Sequence, residues 1–131
     1  MTQWIIDVII KCQRSMERSM LNVRKIDKIK NTTITKITGL TNITTIIKQF
    51  KWRWAGHIMR GPDKWSKSIN FWYPKSGKRK RGRPVKRWVD EIRAVAGHTW
   101  TRTAIQREEW RKLEEAYVRN GHTDSIRNKE M

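Results

Sequence analysis

Residues 43–60 read ITTIIKQFKWRWAGHIMR, and how this stretch is read decides the fold. Ile43, Ile46, Ile47, Phe50, Trp54 and Ile58 are spaced by 3, 1, 3, 4 and 4, the recurrence of one face of an α-helix. Thr41-Asn42 supplies a cap ahead of the first turn, and Gly61-Pro62-Asp63 stops the helix after the last. Lys51, Arg53 and Arg60 fall off the stripe, so one face is apolar and another basic. This pattern puts Trp54 in the core and His57 in a capping or hydrogen-bonded role. Trp52, next to Arg53, suits packing and stacking on unpaired bases equally well.

Toward the N-terminus, Trp4, Val8, Ile9, Cys12, Met16, Met20 and Val23 trace a second helical stripe, which predicts a helix over 3–24. Between the two, NTTITKIT (31–38) is rich in β-branched residues, which favour strands. Yet Asn31 suits an N-cap, Gly39 suits the left-handed residue that ends a helix, and Ile34, Ile37 and Leu40 repeat by three. A short helix is the better reading.

Toward the C-terminus, Trp65, Ile69, Phe71, Trp72 and Tyr73, ending at Pro74, suggest a short extended segment packed under the helices. Residues 75–87, KSGKRKRGRPVKR, carry 8 basic side chains, no acid and no large aliphatic beyond Val85, the composition of a flexible arm. Trp88, Ile92 and Val95 then mark a helix ended by Gly97. Thr103 and Gln106 have the spacing of a capping box, opening a last helix through Trp110, Leu113 and Tyr117, with Glu108 and Lys112 placed for an i,i+4 pair. The expected architecture is mostly α: a small helical domain with a flexible basic arm between N-terminal helices and a C-terminal two-helix unit. Its parts are helices at 1–61, an aromatic segment and arm at 62–87, a helical unit at 88–119 and a frayed tail at 120–131.

Of the 131 residues, 30 are Lys or Arg and 12 are Asp or Glu, a net charge of +18. Residues 1–50 carry 9 basic and 3 acidic side chains, residues 51–87 carry 13 and 1, and residues 88–131 carry 8 and 8. Such an excess is offset by a polyanionic partner, and its concentration in the middle third points to nucleic acid there rather than a membrane. WIIDVII (4–10) is too short to span a bilayer and lacks the basic flank of a secretory signal.

Cys12 is the only cysteine, and His57, His98 and His122 lie far apart, so neither a disulfide framework nor a zinc site is expected. Glu108-Glu109 and Glu114-Glu115 alternate with Arg107, Arg111 and Lys112, the pattern of a solvated charged face. No nucleophile–base pair, phosphate loop or metal-binding carboxylate cluster is legible. The expectation is therefore no catalytic residue, no cofactor, no metal and no small-molecule substrate.

The sharpest local signal is Lys78-Arg79-Lys80-Arg81-Gly82-Arg83-Pro84 with Lys86 and Arg87. Gly82 removes the Cβ and Pro84 holds φ near −65°, so this ribbon is thin enough for a minor groove, where Arg81 and Arg83 would favour narrow A/T tracts. The outer lysines and arginines would meet phosphates. The plainer alternative is a solvated basic run serving nuclear import. Lys51, Trp52, Arg53 and Arg60 form the second candidate nucleic-acid cluster.

Taken in order, RSMERSMLNV (14–23), KWRWAGHIMR (51–60), KRKRGRPVKRWVDEIR (78–93) and QREEWRKLEEAYV (106–118) resemble the C-terminal end of the endonuclease–reverse transcriptases of animal non-LTR (LINE-like) retrotransposons. The resemblance covers about residues 12–119. It implies a segment beyond the polymerase thumb that helps hold template RNA or target DNA in the nucleus, the chain being the tail of a much larger enzyme. It also favours the helix at 31–38. The chain has neither an endonuclease region nor a Tyr-x-Asp-Asp-type motif, so those activities do not carry over. Residues 31–47 are richer in Thr and Ile than the charged helical stretch usual in such proteins. Two other readings are a free-standing AT-hook chromatin protein of transposon descent and a protein-interaction module with a nuclear localisation signal.

Overall fold

The computed structural model describes residues 3–71 and 87–119. Its regular structure is helical, with no strand among the described residues: α1 Gln3–Met20, α2 Asn31–Thr38, α3 Ile43–Arg60, α4 Lys64–Phe71, α5 Trp88–Ala96, α6 Trp100–Ile105 and α7 Arg107–Lys112. A 3₁₀ turn covers Lys25–Asp27, and residues 114–119 are again helical. The mostly α expectation holds. The chain divides into two compact units, Met1–Ile47 and Lys48–Met131.

In the first unit α1 ends at Met20, four residues short of the expectation, because Asn22 takes a left-handed conformation with φ 52°. Val23 N–H donates to Arg18 O at 2.9 Å and Asn22 N–H to Ser19 O at 3.1 Å, a Schellman closure that stops the helix. The covered face of α1 also differs from the stripe read in the sequence. Trp4, Met16 and Met20 are exposed, as is Cys12, whereas Ile6, Ile10, Gln13, Glu17 and Leu21 are wholly or partly covered. Two polar side chains make the seam. Gln13 Nε2 donates to Thr41 O at 3.0 Å while its Oε1 accepts from Ile43 N–H at 2.8 Å, and Glu17, buried, accepts from Thr35 Oγ1 at 3.2 Å. Gln13→Ala strands a partly buried amide donor and frees the 41–43 turn. A loss of about 1–2 kcal/mol is expected, read as faster amide hydrogen exchange over residues 31–47, with Gln13→Glu restoring only the acceptor half.

α2 forms as expected and Gly39, at φ 65°, ends it. Its N-cap is Lys30 rather than Asn31, whose Oδ1 instead accepts from Arg18 Nη2 at 2.7 Å. Of the by-three repeat only Ile34 is buried; Ile37 and Leu40 are exposed. Asn42 caps α3 as read, its Oδ1 accepting from Thr44 N–H at 2.9 Å.

In the second unit the described part of the extended segment expected near 63–74 is instead α4, while Trp72, Tyr73 and Pro74 lie outside the described residues. Asp63 nucleates that helix: its Oδ1 accepts from Trp65 N–H at 2.8 Å, and its Oδ2 from Ser66 N–H and Oγ at 3.3 and 2.6 Å. These bonds hold the Asp63 carboxyl below its usual pKa. Gly97 ends α5 as read. The last helix is broken. Thr103 lies inside α6 and opens nothing, and Gln106, with φ −81° and ψ 98°, is the N-cap of α7. A continuous helix would spread Trp100, Ala104, Trp110 and Tyr117 over about 140° of its circumference. The breaks at Gln106 and Leu113 bring all four into one core with Trp52, Ala55, Ile58, Met59, Val89 and Ile92. Lys112 pairs with Glu109 at 2.8 Å rather than with Glu108.

Candidate nucleic-acid interface

α3 carries Lys51, Trp52, Arg53 and Arg60, and the second unit is assembled around them. Trp52 is 0% exposed. Its indole stacks on Trp110 with ring centroids 3.9 Å apart and an interplanar angle of 9°, and Tyr117 lies 4.8 Å away. The pair is also tied reciprocally: Trp52 Nε1–H donates to Trp110 O at 2.9 Å, and Trp110 Nε1–H to Trp52 O at 3.0 Å. Trp110 O belongs to the last turn of α7, where carbonyls lack intrahelical partners, so the Trp52 indole satisfies an otherwise orphaned acceptor. Trp52 O lies within α3 and becomes reachable because residue 56 is glycine. A Cβ there would stand 2.4 Å from Trp110 Nε1.

Base stacking by Trp52 is thereby overturned, since both the ring and its N–H are committed inside the protein. Trp54, expected in the core, is instead 48% exposed and meets Trp88 edge-on at 5.5 Å. From Trp88 the rings continue through Trp100 at 6.4 Å to Trp110 at 6.0 Å.

The three cations of this cluster are engaged as well. Lys51 pairs with Glu91, which also accepts from the buried Tyr117 hydroxyl at 3.3 Å. Burial, then the Glu91 charge, pushes the Tyr117 phenol upward. Arg53 places Nε and Nη2 on Glu114 Oε1, both at 2.8 Å, and this hydrogen bonding raises its pKa. Arg60 Nη1 donates to Ala104 O at 2.7 Å, closing the C-terminal end of α6. Burial, then the Arg107 charge, lowers the Arg60 guanidinium from its usual value. These partners lie 40 to 61 residues away in the chain. The cluster thus acts as the joint between α3 and the C-terminal helices.

The principal sequence candidate, Lys78, Arg79, Lys80, Arg81, Gly82, Arg83, Pro84 and Lys86, lies outside the described residues. Arg87 is exposed at the N-cap of α5, its backbone N–H bonded to Asp90 Oδ2 at 2.7 Å. Trp65, expected in an extended segment packed under the helices, is the aromatic side chain left free for a ligand. It is 73% exposed on α4, between Lys64 and Lys67, on the helix that precedes the basic run. The clue was Asp63 with Ser66 three residues on, a helix start mistaken for part of a stop. Among the described residues no group of His, Cys, Asp or Glu could hold a metal, and no helix is long and apolar enough to cross a membrane.

No protein-family model matches the chain, and no solved structure matches it. The chain is similar to a Caenorhabditis elegans protein described as uncharacterized and transposon-derived, with 33% identity over 89 residues, 60% of this chain and 30% of that relative. The chain therefore spans under a third of the relative's length. The likeness is weak and points to a transposon origin.

Proposed function

We propose that the chain is a non-catalytic, nucleic-acid-binding segment derived from the C-terminal end of a non-LTR retrotransposon endonuclease–reverse transcriptase, acting in the nucleus on template RNA or target DNA. The charge map carries this reading. Residues 51–87 hold 13 basic and 1 acidic side chains, Lys51 and Arg53 are paired with carboxylates and Arg60 is tied to a backbone carbonyl in the second unit, and residues 75–87 are the densest cationic run. The transposon-derived relative and the four ordered motifs support the same origin. In this reading Arg79, Lys80, Lys86 and their neighbours neutralise phosphates, Arg81 and Arg83 supply any preference for A/T duplex, and Trp65 offers the stacking surface that Trp52 cannot.

The test is a titration of the full chain with A/T duplex, G/C duplex and structured RNA at two salt concentrations. If about six cations meet phosphates, log K falls with log salt at a slope of about −5. Arg81→Ala with Arg83→Ala removes A/T preference while leaving most phosphate affinity. Trp65→Ala weakens single-stranded ligands by ~1–3 kcal/mol and duplexes far less. A/T preference over both other ligands would favour a free-standing AT-hook protein. Absence of binding to all three at low salt would refute nucleic-acid binding altogether and favour a protein-interaction module.

A further inference from the structure

The first unit holds another concentration of cations, far in sequence from the run at 75–87. An open cavity of about 580 Å³ is lined by Lys11, Arg14, Arg18 and Lys25, with Ser15 and Ser19 and no carboxylate. We propose that this cavity binds a phosphate group. Lys11, Arg14 and Arg18 follow at i, i+3 and i+7 and share one face of α1. Lys25 joins them because the left-handed Asn22 turns the chain back just after the helix.

Arg18 is the observation that points to an anion. Its Nη2 donates to Ile29 O at 3.1 Å and to Asn31 Oδ1 at 2.7 Å, which fixes the guanidinium plane. Nη1, on the same plane, is buried with no acceptor. A buried charged donor left without a partner is costly, and native structures seldom keep one without a reason. An oxyanion that displaces the groups now covering Nη1 would supply the missing acceptor, and a guanidinium suits phosphate geometry better than any other side chain. Ser15 and Ser19, one turn apart, add hydroxyl donors beside the cations. The volume lies within the roughly 300–1,000 Å³ usual for small-ligand sites, larger than a bare phosphate needs, so a phosphate carried on a sugar also fits. The phosphate can come from a nucleic-acid strand or from a small free phosphate, and the two sources share the recognition chemistry.

The experiment follows backbone amide NMR signals of the full chain during titration with inorganic phosphate, and then with a short single-stranded RNA bearing either a 5′-phosphate or a 5′-hydroxyl. Saturable movement of the signals of Lys11, Arg14, Ser15 and Ser19 is expected. Lys11→Ala with Arg14→Ala removes two exposed cations that hold nothing else in the cavity, so it keeps the fold and weakens binding by at least about tenfold. Arg18→Lys, whose single ammonium replaces the planar fork that holds Ile29 O and Asn31 Oδ1, is a second variant and is expected to weaken binding as well. Arg81→Ala with Arg83→Ala leaves the cavity response unchanged, which separates this site from the basic run whatever that run binds. Response to inorganic phosphate alone identifies a free phosphate as the ligand. Response to both RNAs identifies the strand backbone, and response to the 5′-phosphorylated RNA only identifies a strand end. If inorganic phosphate and RNA move these signals no more than chloride at equal ionic strength, or if the double alanine variant binds as well as the parent, the proposal fails.

Discussion

Trp110→Ala is expected to cost the second unit about 3–5 kcal/mol, the range for deleting a buried Trp side chain. Trp110 is 3% exposed, lies against Trp52 at 3.9 Å, meets Trp100 at 6.0 Å and donates its indole N–H to Trp52 O. Truncation removes the stack, that hydrogen bond and the wall that holds Trp52, whose own N–H then loses its firm aim at the residue-110 carbonyl. Small domains have only about 5–15 kcal/mol in total, so the variant stands near the unfolding threshold. Trp110→Phe keeps a ring in place and removes only the indole donor, leaving Trp52 O in the α3 ladder, at about 1 kcal/mol. The measurement is urea denaturation of the full chain followed by near-ultraviolet circular dichroism, which reads the packed indoles. Trp65→Ala, at an exposed ring, is the reference. A midpoint shift for Trp110→Ala no larger than that reference would show that the tryptophan pair does not hold the unit together.

Helices were the legible part of this fold, and the side each one buries was not. Asn42 and the Gly61-Pro62 stop gave α3 both ends, and Gly39 and Gly97 gave α2 and α5 their C-terminal ends, because cap chemistry is local. Which stripe is covered depends on what lies opposite. On α3 the large residues Phe50 and Trp54 drew the reading, yet both are exposed, while the face carrying Trp52, Ala55, Gly56 and Met59 is buried. Ala55-Gly56 was the available clue, since a glycine inside a helix pattern commonly marks a close approach. On α1 the apolar Ile6, Ile10 and Leu21 share the covered face with Gln13 and Glu17, which reach backbone and hydroxyl partners that no periodicity reveals. The cations show the same limit. Lys51, Arg53 and Arg60 were recognisable as a basic cluster, but their partners, Glu91, Glu114 and Ala104 O, come from helices that only the fold brings near. By contrast Lys11, Arg14, Arg18 and Lys25 belong to no sequence motif, and became a candidate site only once the fold lined one cavity with all four.

Gly56→Ala is the sharper test of the tryptophan joint, because the ordinary rule predicts the opposite sign. In a helix interior alanine is better than glycine by roughly 1 kcal/mol. Here the new Cβ would lie 2.4 Å from Trp110 Nε1, 2.6 Å from Trp110 Cδ1 and 2.9 Å from Arg60 Nη1. Arg60 is a long side chain and can move, at the expense of its bond to Ala104 O. The indole cannot slide, being pressed against Trp52 on one side and aimed at Trp52 O by its N–H. Overpacking of this kind costs about 1–3 kcal/mol, and a buried indole N–H pushed off its acceptor costs a further ~1–3 kcal/mol. Against the helix gain, the net expectation is a destabilisation of about 1–5 kcal/mol. Gly61→Ala is the control, since its Cβ would meet only His57 O and Ile58 O at an ordinary 3.5 Å. That variant should be neutral or slightly stabilising, by up to about 1 kcal/mol. Both are read as denaturation midpoints of the full chain. Should Gly56→Ala stabilise the protein as Gly61→Ala does, the reciprocal tryptophan hydrogen bonds would have no part in holding α3 to α7.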